Sequence, residues 1–137
     1  MRTVRVLAAF GLAIAFAAVL AGCMFATLRL MPPDDGTIQP ISIGDRVEIR
    51  LPGNATTGYT WVRTSPESLD GSPIDILREA EYDAVDSGLA GSPGHFTFEY
   101  RAVRQGTVTL EMVYRRPWQE TPDDEPIDSF SVVIWVK

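Results

Sequence analysis

Several stretches of this chain alternate apolar and polar residues with period two. Val47, Ile49 and Leu51 are apolar, while Arg46, Glu48 and Arg50 between them are polar. Successive side chains of a strand point to opposite faces, so the pattern predicts a strand with one buried face. Phe96, Phe98, Tyr100 and Ala102 repeat it against Thr97, Glu99 and Arg101. Val108, Leu110, Met112 and Tyr114 do so against Thr107, Thr109 and Glu111. Phe130, Val132, Ile134 and Val136 form a last strand, whose other face carries Val133 and Trp135. Residues 59–63 make a shorter candidate, and residues 74–82 a less regular one. Turn residues separate these runs: Gly53-Asn54, Ser65-Pro66, Gly71-Ser72-Pro73, residues 91–94, Gln105-Gly106 and residues 122–126. Residues 67–70 have room for one helical turn. Heptads, internal repeats and a βαβ rhythm are missing from the sequence. Short strands with regular turns predict an all-β antiparallel sandwich or barrel.

The N-terminus departs from this pattern. Arg2 and Arg5 precede an uncharged run from Val6 to Leu28. A positive start, an apolar centre and small residues before a cleavage point describe a secretory signal. Leu20-Ala21-Gly22-Cys23 resembles the lipobox of bacterial lipoproteins, where the cysteine thiol takes the lipid thioether and small residues let the peptidase fit the chain. The expectation is a signal over residues 1–22 and lipidation at Cys23. An uncleaved membrane anchor is the alternative, because the uncharged run is long enough to span a bilayer. Both place the domain outside the cell membrane, so the chain is expected in a bacterial envelope. Met24, rather than an aspartate, after the lipobox favours the outer membrane where there is one. Residues 23–40, with Met31-Pro32-Pro33-Asp34-Asp35-Gly36, are expected to be a linker. The globular domain is then residues 41–137.

Charge and composition narrow the function. The 137 residues carry a formal charge of -6, and loss of Arg2 and Arg5 with the signal leaves the domain more acidic. That argues against nucleic acid as a partner. One histidine, His95, and one cysteine, Cys23, leave no Cys/His nucleophilic pair, no disulfide and too few ligands for zinc. Asp123, Asp124, Glu125 and Asp128 lack the spacing and glycine of a calcium loop and read as a solvated loop. His95 follows a Pro-Gly turn at a strand start and reads as structural. No cofactor or metal is expected, an enzyme is disfavoured, and a monomer is the default.

The remaining chemistry lies in loops. In Asn54-Ala55-Thr56-Thr57-Gly58-Tyr59, Gly58 can take positive φ without steric cost. Asn54, Thr56 and Thr57 can bond back to the loop backbone. Asn54-Ala55-Thr56 also matches a glycosylation sequon, which is usually accidental in bacteria. Arg116-Pro117-Trp118 sits beyond the end of an alternating run, which favours exposure of Trp118. Aromatic and polar residues on loops of a β scaffold have the character of a binding surface.

Asn-Ala-Thr-Thr-Gly-Tyr resembles the Asn-Pro-Thr-Thr-Gly-Tyr/Phe motif of the chagasin family, inhibitors of papain-like cysteine proteases. Gly91-Ser92-Pro93-Gly94 is similar to that family's Gly-x-Gly-Gly loop, and Arg116-Pro117-Trp118 is identical to its Arg-Pro-Trp motif. The three stand in the family's order across about residues 41–137. The resemblance implies an immunoglobulin-like antiparallel β-sandwich with three loops at one end. It implies a papain-like cysteine protease as partner, bound through Asn54, Thr56, Thr57, Gly58, Tyr59, Gly91, Gly94, Arg116, Pro117 and Trp118. The first loop would enter the protease cleft and the other two would straddle it. Gly91 and Gly94 would let the backbone approach the partner. Ala55 stands where the family usually has proline, and Pro93 alters the second loop. The alternative is an envelope-tethered adhesion or structural module that binds a non-protease protein.

Overall fold

The computed structural model describes residues 24–85, 91–118 and 125–137. Cys23 and residues 1–22, where a signal is expected, lie outside the described residues. Strands β1 (Thr27–Leu30), β2 (Thr37–Ile41), β3 (Arg46–Gly53), β4 (Thr60–Ser65), β5 (Ile74–Ala84), β6 (Gly94–Ala102), β7 (Gly106–Arg115) and β8 (Asp128–Val136) form two four-stranded sheets. One sheet has the order β1-β3-β6-β5 and the other β2-β8-β7-β4. The alternating runs land where the period places them. Val47, Ile49, Leu51, Phe96, Phe98, Tyr100, Leu110, Met112, Val132 and Ile134 are buried between the sheets. Burial of one such side chain stabilises by about 1.5–3 kcal/mol, which favours this register over a slip that exposes the set. Trp61 joins the core, and its indole N–H donates to Pro52 O at 2.9 Å.

Three expectations need correction. The described part of the expected linker, residues 24–40, does not run free: it supplies β1 and most of β2, and the buried Leu30 and Ile41 join the core. The segment between them crosses from one sheet to the other. It is held by Gly36 N donating to Ser131 O at 2.7 Å and by Ser131 N donating to the Asp35 carboxylate at 2.7 Å. A sequence of Pro, Gly and acidic residues signals irregular backbone but not whether that backbone is free, and here it is bonded. The sandwich is also not purely antiparallel. β1 pairs with β3, and β2 with β8, in parallel, because the crossover turns the chain over the edge of the sandwich. Finally, residues 67–70 form no helical turn; short 3₁₀ turns occur at Pro32–Asp34 and Ala55–Thr57 instead.

The topology creates two poles. β3 ends at Gly53, paired with Gly94 at the start of β6, and Gly94 also pairs with Ala84 at the end of β5. Thr60 at the start of β4 pairs with Arg115 at the end of β7, and Tyr114 pairs with Asp128. The β3–β4, β5–β6 and β7–β8 connections therefore share one pole. The turn 42–45, the β6–β7 turn and the entry into β1 lie at the other, since β1 runs parallel to β3.

Candidate functional site

The β3–β4 connection is a single 3₁₀ turn, Ala55–Thr57, closed by its own side chains. Asn54 is extended (φ -136°, ψ 104°) and caps the turn. Its side-chain oxygen accepts from Thr56 N at 3.0 Å and from Thr56 Oγ1 at 2.7 Å. Thr57 Oγ1 donates to Asn54 O at 2.6 Å. Such a cap satisfies turn-start N–H groups otherwise left to water, typically worth about 1 kcal/mol. Gly58 ends the turn in the left-handed region at φ +80°. Its φ favours glycine, and a Cβ there would fall 2.6 Å from Trp118 Cη2, so a side chain would push the indole off the turn. Ala55, Thr56 and Thr57 are exposed at the tip.

Side chains join this loop to its neighbours. Asn54 Nδ2 donates to Gly91 O at 2.8 Å, so one asparagine both shapes the first loop and fastens the second. The Arg116 guanidinium stacks over the Tyr59 ring, 4.6 Å from its centroid. Such a contact is worth about 0.5–1 kcal/mol at exposed sites. Trp118 rests on Gly58 while remaining 68% exposed, and Pro117 beside it is exposed. The tip, Gly91 and the Arg116–Trp118 corner thus form one continuous ridge. Tyr59 precedes β4 rather than beginning it.

The structure places Gly94 apart from this ridge. It is buried in the sheet, where a Cβ would sit 2.3 Å from Asp83 O and 2.8 Å from the Tyr82 ring. Its smallness serves the packing of β6 on β5. Gly91, exposed at φ +83°, does lie on the ridge.

Sequence reasoning missed Tyr114, which it placed only as a core-facing residue of β7. Its hydroxyl accepts from Asn54 N at 2.9 Å. Its ring stacks on Trp61 at 5.4 Å between centroids and tilts against Tyr59 at 5.5 Å. Tyr114 thereby connects the loop to the core. The only available signal was a tyrosine closing an otherwise apolar alternation, since a buried phenol needs a polar partner at its tip.

His95 is half-buried in β6, opposite Pro52 and Asp83. Among the described residues, no three His, Cys, Asp or Glu side chains gather to hold a metal. Asp123 and Asp124 lie outside the described residues.

Residues 40–134 match the model of the chagasin family peptidase inhibitor I42. The chain belongs to the chagasin family. Chagasin of Trypanosoma cruzi is 34% identical over 100 residues, covering 73% of this chain and 89% of that protein. Amoebiasin-2 of Entamoeba histolytica is 29% identical over 122 residues, covering 87% of this chain and 95% of the relative. The crystal structure of a cysteine protease inhibitor from Entamoeba histolytica superposes with a TM-score of 0.70 at 25% identity, covering 85% of this chain and 100% of that one. The immunoglobulin-like sandwich is therefore the family's fold, and the chain is an inhibitor-type protein, not an enzyme.

Proposed function

We propose that this chagasin-family chain inhibits papain-like cysteine proteases reversibly by inserting the 54–59 loop into the catalytic cleft. The observation that carries the proposal is the fastening of three loops into one ridge through Asn54, Gly58 and the Arg116–Tyr59 stack. A ridge ordered before binding loses little entropy on docking, so more of its contact energy becomes affinity. Proteases generally take substrate as an extended strand, with backbone hydrogen bonds to the cleft. The tip here is a 3₁₀ turn ended by a positive-φ glycine, which does not offer a scissile bond in that form. Both threonine hydroxyls already donate within the loop. The loop fills the cleft without acting as substrate, while Trp118 and Gly91 contact its two rims.

We further propose that the N-terminal segment exports the domain and tethers it to a bacterial envelope membrane through Cys23. The support is sequence alone: two arginines, an uncharged run and Leu-Ala-Gly-Cys. Mass spectrometry of the mature N-terminus checks this half, and an intact Met1 would remove the lipid anchor. For the inhibitory half, the chain from Met24 is titrated against papain and a cathepsin. Full activity should return on dilution, with the inhibitor recovered uncut. No inhibition at micromolar concentration across several papain-like enzymes would overturn it.

A further inference from the structure

Incorporation of the expected linker into β1 and β2 has a consequence at the far pole. Only Met24, Phe25 and Ala26 separate Cys23 from β1. Three residues reach about 11 Å even when extended. Ala26 is already fixed: its N–H donates to the Asp45 carboxylate at 2.9 Å, and its carbonyl accepts from Arg46 N at 2.8 Å. The second Asp45 oxygen accepts from Ser42 N at 2.9 Å, which locks the chain entry to the 42–45 turn. A domain tethered at Cys23 cannot stand clear of a headgroup layer on so short a lead.

Exposed apolar side chains stand around that pole, Met24 and Phe25 beside the outer face of one sheet, Ile43 in the turn and Trp135 on the outer face of the other sheet. Met24 is 97% exposed, Phe25 63%, Ile43 49% and Trp135 48%. The Phe25 ring lies on the backbone of Gly44 in the turn, where a Cβ would meet it at 2.1 Å. Trp135 pairs with Thr107 and Pro40, one residue from the end of its sheet, and Lys137 Nζ stands 5.1 Å from its ring. Arg46 and Arg101 line the cleft beside Met24 and Phe25. Tryptophan together with basic residues is the composition found at membrane–water interfaces.

We infer that the pole bearing Met24, Phe25, Ile43 and Trp135 rests on the phospholipid bilayer, pointing the three inhibitory loops away from it. The inference rests on the tethering proposal above and commits to a lipid surface. The full chain is reconstituted into phosphatidylcholine vesicles with brominated acyl chains, and tryptophan quenching is measured on the floated fraction. The expected result is quenching that survives Trp118→Phe and falls at least about twofold in Trp135→Phe. Phe25→Ser with Ile43→Ser should lower it similarly, with melting temperature and papain inhibition unchanged. Quenching lost with Trp118→Phe, or absent from a chain that floats, would overturn the inference while leaving the tether. A chain that does not float would overturn tether and pole together, whereas inhibition in detergent reports on the loops alone. A dimer in detergent that the double serine variant abolishes would assign the pole to a second copy and overturn it.

Discussion

Asn54 carries more of the site than its size suggests. It caps the turn through its side-chain oxygen, holds Gly91 through its amide nitrogen, and receives Tyr114 through its backbone. The neighbouring Ala55 is therefore a position where proline fits. Asn54 is already extended, as a residue before proline must be, and Ala55 is the first residue of the 3₁₀ turn. Ala55→Pro should raise stability by about 0.4–1 kcal/mol through the unfolded chain. Chemical denaturation checks this, and a lower midpoint would mean that the turn rejects proline. Trp118 is exposed in the free protein, so on the proposed mode of inhibition its contribution belongs to the complex. Trp118→Ala should weaken inhibition by about 2 kcal/mol or more, roughly thirty-fold in the inhibition constant. An unchanged constant with papain would show that this corner stays outside the cleft.

The elements divide into those that hold the site and those that enclose the core. β3, β6 and β7 supply the ends from which the three loops spring, and their alternation was plain in sequence. β1 and β2 were not legible, because four or five residues beside Pro and Gly make no convincing period, and their pairing is with strands distant in the chain. They are nonetheless integral. Leu30 is 1% exposed, and Leu30→Ala should cost about 2–5 kcal/mol, read as a drop in thermal midpoint. A loss within a few tenths of a kcal/mol would return the segment to the status of a spacer. On the opposite side of the sandwich, the edges of β4 and β5 are joined by Arg63 Nε and Glu79 at 2.7 Å.

In the whole molecule these parts become two poles joined by one core. That core contains a phenol whose burial sets an alkaline limit. Burial, then the nearby Glu79 carboxylate, push Tyr100 well above its ordinary value of 10.0, with Arg63 offsetting part of the rise. The folded state therefore favours the protonated phenol. Its contribution is fully present below about pH 10 and is lost as pH rises toward the folded value. Denaturation midpoints should fall more steeply above pH 10 in the wild type than in Tyr100→Phe. Parallel curves would show that Tyr100 is not the group responsible.

The sequence by itself determined the fold class, the faces of β3, β6, β7 and β8, the three loop motifs and the family. Each is written locally, as a period of two, a turn residue or a contiguous motif, and local steric and solvation preferences suffice to read it. Only the tertiary structure decided that the acidic Pro-Gly stretch is a bonded crossover, that Gly94 is buried, and that Tyr114 holds the loop. It alone also set the lead between Cys23 and the domain at three residues. Those facts depend on which distant segments meet. That is settled by the free energy of packing two sheets together, which no single stretch of the chain contains.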